Sequence, residues 1–176
     1  MVRTAWAILA VLMSVLLPAA AATHVALQGI DDQIVVPDHS SLVFERFDKD
    51  NITVHFTGKT ELAGTYYYGA QAIDDGSNSM SVYFRPDRTS MVRLPAFRDH
   101  GRPDDIFVTN PAAFVRAVLP RMKTRPTKSY ASGHVTIIVD RFEASIECDA
   151  PNFSARFVSV VAPAPMRMAQ MPDSGC

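Results

Sequence analysis

The stretch from residue 133 to residue 161 constrains the fold most strongly, because its apolar residues follow a strict alternation. Apolar side chains occupy every second position over Val135–Val139, and after Asp140 the alternation changes parity and continues over Phe142–Cys148. Alternation at period two is typical of strands that bury one face against a core. A chain that contains this stretch is therefore expected to fold around a β-sheet.

Two structures explain the change of parity at Asp140. In the first, Asp140 and Arg141 form the two-residue turn of a hairpin. The facing pairs are then Val139 with Phe142, Ile137 with Ala144, Val135 with Ile146 and, on the polar side, His134 with Glu147. Neither turn residue favours positive φ as strongly as Asn-Gly does, so the second interpretation is one long bent strand with a bulge at this point.

The next turn is indicated by Asp149–Asn152, in which Pro and Asn stand in turn-favouring positions. This turn predicts a further strand, with Cys148 opposite Phe153, Ile146 opposite Ala155 and Ala144 opposite Phe157. After Phe157 the apolar positions shift to Val158 and Val160, which indicates either a bulge or a strand end that is buried on both faces.

The rest of the chain adds short strands and one helix. Strands are predicted at His24–Gly29, Gln33–Val36, Leu42–Arg46, Ile52–Phe56, Leu62–Tyr68 and Met80–Phe84, with a hairpin that pairs Phe44 with Val54 and Leu42 with Phe56. The helix is predicted at about Pro111 to Leu119, with Asn110 as its cap. The predicted fold class is mainly β, an antiparallel β-sandwich or partly closed barrel with one short helix.

The first 22 residues have the organisation of a secretory signal peptide. Arg3 precedes the apolar run Ala5–Leu17, and small residues follow it, with a cleavage site near Ala22. The run is shorter than the about 20 residues of a membrane span, so we expect no transmembrane anchor. We expect a secreted or periplasmic protein with one β-rich domain over residues 23–161 and a Pro/Met-rich C-terminal tail over residues 162–176.

The chain has two cysteines, Cys148 and Cys176. In an oxidising compartment their expected state is a disulfide bond that ties the tail to the core strands. The alternative is a buried thiol at Cys148 and a bond from Cys176 to another chain.

Charge and motifs argue against several classes of function. The formal net charge of -1 at pH 7 argues against a nucleic-acid binder. The five histidines have no metal-binding spacing, and neither a G-x-S-x-G motif nor a phosphate loop occurs. Phe47–Asn51 resembles the start of an EF-hand loop, but Lys59 stands where that loop requires glutamate. We expect no cofactor, and enzymatic activity has no positive support.

Three segments carry side chains that are able to bind a ligand. The predicted surface loop Arg93–Asp105 contains Arg98, Asp99, His100, Arg102, Asp104 and Asp105. The stretch Ala112–Val139 has no acidic residue, and its cations include Arg116, Arg121, Lys123, Arg125 and Lys128. The tail contains Met166, Met168 and Met171, whose thioethers suit Cu(I).

These features predict an exported, non-catalytic β-domain that binds another molecule of the cell envelope, either a protein or an anionic polymer. One alternative is a small secreted hydrolase that uses the loop from Arg98 to Asp105. Another alternative is copper binding by the Met-rich tail.

Overall fold

The computed structural model describes residues 23–26, 33–72, 78–122, 126, 129–147, 150–162 and 166–169. Its elements are β1 Thr23–Ala26, β2 Gln33–Val36, β3 Val43–Asp48, β4 Thr53–Ala72, β5 Asn78–Pro86, α1 Arg88–Met91, β6 Ala96–Phe97, β7 Ile106–Val108, α2 Pro111–Val118, β8 Tyr130–Glu147, β9 Ala150–Ala162 and β10 Arg167–Ala169. The prediction of a mainly β fold is confirmed. The helix predicted at Pro111 is present as α2, and α1 adds a single turn that was not predicted.

Five strands close on themselves as a barrel. Strand β4 pairs with β5, β5 with β7, β7 with β9, β9 with β8, and β8 returns to β4. Only the short β7–β9 pairing is parallel, and α2 connects β7 to β8. The strand order and directions are those of the OB-fold, a five-stranded Greek-key barrel. Strand β3 extends the sheet beside the first part of β4, and β10 lies beside the start of β8.

The predicted hairpin at Asp140 is wrong, and the alternative of a bulge in one long strand is right. Strand β8 continues through this point, and Arg141 takes a positive φ of 48°. The ladder from β8 to β9 shifts register between Asp140 and Glu143. This bulge changes the parity of the buried positions without a turn, because one extra residue moves all later side chains to the other face.

The predicted register between β8 and β9 is wrong by an even number of residues. Ala144 lies opposite Phe153, where the sequence predicted Phe157, because the strands resume pairing at Glu147 and Ala150. An even shift keeps the same side chains on the buried face. The buried residues are Phe142, Ala144, Phe153, Ala155 and Phe157, as predicted, and Ile146 is partly buried. The shift predicted after Phe157 is present as a bulge, since the ladder skips Val158.

The predicted hairpin of β3 and β4 exists, but its register is also wrong. Phe44 pairs with Phe56, and Phe47 pairs with Val54, with an irregularity between Phe44 and Arg46. The error begins at the turn, where Asp48 pairs with Thr53 and the register is displaced by three residues, and the unpaired Glu45 reduces this displacement to two at Phe44. Val54 and Phe56 are nevertheless buried as expected.

The two ends of the barrel are filled by different elements. At one end Phe114 of α2 packs against Tyr66 and Phe157, with ring centroids 5.4 and 5.2 Å apart. Asn110 begins this helix, yet its side chain makes no capping bond. Its amide donates to the backbone oxygen of Phe157 at 2.9 Å and accepts from the Phe157 N–H at 2.8 Å. The side chain predicted to cap α2 therefore fixes the helix to β9.

At the other end the three-stranded sheet β1-β2-β6 lies against the barrel. Phe97 of β6 is buried and packs on Phe153 at 6.1 Å. The prediction that Arg93–Asp105 is a surface loop is therefore wrong in part, because Leu94 and Phe97 belong to the core. The sequence did not reveal this, because the apolar residues of this segment follow neither strand nor helix periodicity.

Several predictions fall on residues outside the described ranges. These are the signal peptide up to Ala22 and the cysteines Cys148 and Cys176. Within the described ranges, neither helix has the length or the apolar character needed to cross a membrane. Strand β10 lies within the predicted tail, so three of its residues extend the sheet.

Strand β4 bends at Gly58, where φ is +102°, and this position tests how tightly the bend is packed. A Cβ atom at Gly58 would lie 2.2 Å from the backbone oxygen of Ser41, so Gly58→Ala combines backbone strain with a clash. We expect its free energy of unfolding to fall by about 3 kcal/mol. Gly101→Ala is the control, since φ is +79° but no atom lies within 4 Å, and a loss of about 1 kcal/mol is expected. Equal losses in urea denaturation would contradict this packing.

Candidate functional site

Three aromatic side chains form one row across the outer surface of the barrel. Tyr67 of β4 lies opposite Tyr83 of β5, and Tyr83 lies opposite Phe107 of β7. The rings of Tyr83 and Phe107 meet edge to face with centroids 5.7 Å apart. All three side chains are half-buried, and we call them the aromatic face.

Strand alternation explains why these rings point outward. Each of the three residues stands between two residues whose side chains are buried in the barrel. The buried neighbours are Tyr66 and Tyr68 on β4, Val82 and Phe84 on β5, and Ile106 and Val108 on β7. The aromatic face is therefore additional to the core.

A cleft of about 440 Å³ opens along the aromatic face. Tyr83 and Phe107 belong to its wall, and most of its other residues are polar or charged. Those residues include Gln71, His100, Arg102, Asp104, Asp105, Glu147 and Asn152. The predicted binding loop at residues 98–105 thus supplies four of the cleft's side chains, which the fold brings beside two aromatic rings that the sequence analysis did not select.

An ion pair joins the cleft to Tyr67. Arg85 donates to Asp105 through Nε at 3.1 Å and through Nη2 at 2.7 Å, a bidentate arrangement. The guanidinium carbon of Arg85 lies 5.9 Å from the centre of the Tyr67 ring. The hydrogen bond to Asp105 raises the pKa of Arg85 above its usual value, so the guanidinium stays charged.

Tyr83 is anchored at its hydroxyl. The phenol donates to Oε1 of Gln71 at 2.5 Å, and burial raises the pKa of Tyr83, with the hydrogen bond to Gln71 partly offsetting this effect. A ring held at both its edge and its hydroxyl has few rotamers left. The aromatic face is therefore rigid at Tyr83, and a rigid surface loses little conformational entropy when a ligand binds to it.

A second polar cluster lies on the outer surface of β4, β8 and β9. His55 Nδ1 lies 2.9 Å from Oε1 of Glu143, and the Ser154 hydroxyl donates to Oε2 of Glu143 at 3.2 Å. Because a carboxylate only accepts, Nδ1 of His55 carries the proton. Nε2 is buried with no hydrogen-bond partner among the described residues. The serine contacts the carboxylate and not the imidazole, so the cluster lacks the nucleophile–base contact of a catalytic triad.

The histidine pair predicted across the hairpin is different in the structure. His134 does not face Glu147, because β8 is one strand. Its Nε2 lies 2.8 Å from Oδ2 of Asp87, and both side chains are largely exposed. The pair joins β8 to the residue that follows β5.

The other predicted site residues lie away from the cleft or outside the described ranges. Arg116 and Arg121 are exposed, Lys123, Arg125 and Lys128 are not described, and Arg98 is exposed without lining the cleft. Met166 and Met168 are exposed, and Met171 is not described. Among the described residues, no group of three or more His, Cys, Asp or Glu side chains is placed to hold a metal ion.

The sequence analysis missed the aromatic face and Arg85. Alternation in the sequence does show that Tyr67, Tyr83 and Arg85 point away from the core. Their adjacency depends on β7, whose three residues are too few to give a periodic signal.

Comparisons with protein-family models, with curated proteins and with solved structures found no significant match to this chain. A function for this chain therefore has to be inferred from the geometry of the site itself.

The buried phenol of Tyr83 predicts a loss of stability in alkali. Burial raises the pKa of Tyr83 in the folded state above the ordinary value of 10.0. The stability that the neutral phenol contributes is therefore complete below pH 10.0 and is lost as the pH rises through the folded-state pKa. In Tyr83→Phe we expect a smaller decrease of unfolding free energy above pH 10.0, and about 1 kcal/mol less stability at neutral pH because the bond to Gln71 is lost. Urea denaturation across this pH range measures both effects. Identical alkaline profiles for the two proteins would contradict the prediction.

Proposed function

We propose that this chain is an exported, non-catalytic binding domain whose ligand site is the aromatic face and the adjoining cleft. The ligand is a polymer of the cell envelope whose units stack on Tyr83 and Phe107. The observation that carries this proposal is the row of three aromatic residues across β4, β5 and β7, on the solvent side of a closed barrel.

The aromatic residues are confined to one part of the barrel surface. The same transverse row continues to Ser132 of β8 beyond Tyr67 and to Ser154 of β9 beyond Phe107. One further ring lies nearby, since Tyr130 of β8 packs over Gly69 of β4 and donates from its hydroxyl to the backbone oxygen of Ala70 at 3.0 Å. Strand propensity alone does not explain why outward rings cluster on neighbouring strands. Ligand sites combine aromatic side chains with convergent polar groups, and this cleft has both kinds, with polar groups in the majority.

The fold offers a parallel. In OB-folds the corresponding surface, over the second and third barrel strands, binds oligonucleotides and oligosaccharides. Here those strands are β5 and β7, which carry Tyr83 and Phe107. This correspondence supports a linear ligand, although fold alone does not determine function.

Two cations of the predicted basic patch lie in the described part of the chain, and neither Arg116 nor Arg121 lines the cleft. The proposal therefore rests on stacking and hydrogen bonding at the aromatic face.

Removal of a ring from the aromatic face tests the proposal. Stacking on an aromatic side chain is worth about 1–3 kcal/mol per ligand unit, so Tyr83→Ala and Phe107→Ala should each weaken binding by about tenfold or more. The measurement is NMR titration with soluble neutral glucans, oligogalacturonate, polyglutamate and polyphosphate, with affinity taken from whichever polymer shifts the signals of these strands.

Phe44→Ala is the matched control for this experiment. Phe44 is 36% exposed on β3 and does not line the cleft. Its loss should leave the affinity unchanged. The proposal is wrong if no polymer shifts the Tyr83 and Phe107 signals, or if the Phe44→Ala variant loses as much affinity as the other two.

A second candidate is a hydrolase at the same cleft. One observation favours it, since His100 shares the cleft with the carboxylates of Asp104, Asp105 and Glu147, and such groups are able to act as acid and base. A broad hydrolase substrate screen of the wild-type chain and of His100→Ala tests this candidate. Turnover that His100→Ala reduces by about 100-fold would support it, and turnover that this variant leaves unchanged would remove it.

A further inference from the structure

The charge of the aromatic face is balanced by one short contact. Arg85 is the cation nearest to Tyr67, and both of its bonds to Asp105 are within 3.1 Å. Asp105 is 17% exposed, so solvent screens its charge only partly. The guanidinium therefore presents a donor-rich surface with little net positive field.

The remaining charges near the cleft do not restore a positive field. Arg102 donates from Nη1 to the backbone oxygen of Met91 at 3.1 Å, and Asp104 and Glu147 add two further carboxylates to the cleft. The charged groups near the cleft are then two cations, Arg85 and Arg102, and three anions, besides His100. The anions are Asp104, Asp105 and Glu147. An anionic polymer gains affinity mainly from clustered cations, which this surface does not have.

We propose that the aromatic face selects an uncharged polysaccharide, and that Asp105 sets this selectivity by neutralising Arg85. The inference rests on the proposed function and adds the class of ligand and the residue that determines it. A sugar ring offers an apolar face to Tyr83 and Phe107, and its hydroxyl groups both donate and accept. The polar groups beside the rings, Gln71, Asn152 and the Arg85–Asp105 pair, provide both roles.

The strand pairing disfavours an extended peptide as the ligand. Peptides commonly bind to a β-protein by adding a strand to a free sheet edge. Strand β5 pairs with β4 and β7, and β7 pairs with β5 and β9, so the barrel hydrogen bonds under the aromatic face are occupied on both sides. A ligand on this face has to bind through side chains.

Asp105→Asn tests the inference by a gain of function. The substitution keeps the shape of the side chain but leaves the charge of Arg85 uncompensated. The wild-type chain should bind a neutral glucan oligosaccharide about tenfold more tightly than oligogalacturonate of matched length, with little effect of salt. In Asp105→Asn, oligogalacturonate should bind about tenfold more tightly than to wild type, and about 1 M NaCl should abolish the gain, because the Debye length is then about 3 Å. The neutral glucan should bind no more tightly to Asp105→Asn than to wild type, so the gain is confined to the anionic polymer.

Asp104→Asn is the control, because it makes the same change of net charge in the same cleft but leaves both hydrogen bonds between Arg85 and Asp105 in place. Its gain of affinity for oligogalacturonate should be clearly smaller than that of Asp105→Asn. Equal gains in both variants, or no gain in Asp105→Asn when thermal unfolding shows it folded, overturn the role of Asp105.

The two proposals fail in different ways. If wild type binds oligogalacturonate, polyglutamate or polyphosphate more tightly than neutral glucans, and Tyr83→Ala abolishes that binding, the ligand class is wrong while the binding site stands. If Tyr83→Ala and Phe107→Ala leave all binding unchanged, or if no polymer binds to wild type or to Asp105→Asn, both proposals are wrong.

Discussion

Closure of the barrel depends on two bends that lie opposite each other. The ladder between β4 and β8 pairs Phe56 with Phe142 and Lys59 with Asp140, so Thr57 and Gly58 lie opposite Arg141 alone. Gly58 and Arg141 both take positive φ, which turns the two strands at the same level. Long straight strands would leave an open sheet with two exposed edges. With the bends, β4 pairs first with β3 and then with β5, and the short β7–β9 pairing closes the barrel.

The alternation of β4, which has the same parity on both sides of Gly58, determines where the aromatic face forms. Beyond Gly58, the parity of β4 places Tyr66 and Tyr68 in the core and Tyr67 outside, beside Tyr83. A one-residue change in this bulge would exchange the buried and exposed tyrosines. Burial of a tyrosine in this core has a cost, which Tyr66 shows. Its hydroxyl is buried without a hydrogen-bond partner among the described residues. Packing of its ring against Phe114 outweighs that cost.

The sequence could predict local features whose cause is local. The strand alternation, the helix at Pro111 and the side chains of the buried face follow from periodicity, and the even error in the β8–β9 register left that face unchanged. Registers and the bend at Arg141 depend on contacts between distant residues. An Asp-Arg pair carries no glycine signal for positive φ, although Arg141 adopts it. Four side chains of the charged loop line the cleft, but their neighbours there come from five strands, β4, β5, β7, β8 and β9, and no local pattern brings these together.

The core and the aromatic face place different demands on the same strands. Residues that point inward on β4, β5 and β7 are fixed by packing, so substitutions there are costly regardless of ligand. Outward positions carry no such requirement, and on most of this barrel they hold serine, threonine or charged residues. Three adjacent rings, one of them under an arginine whose charge is neutralised, are not needed to close or to solubilise the barrel. Since the fold does not require this arrangement, it supports the binding role that we propose.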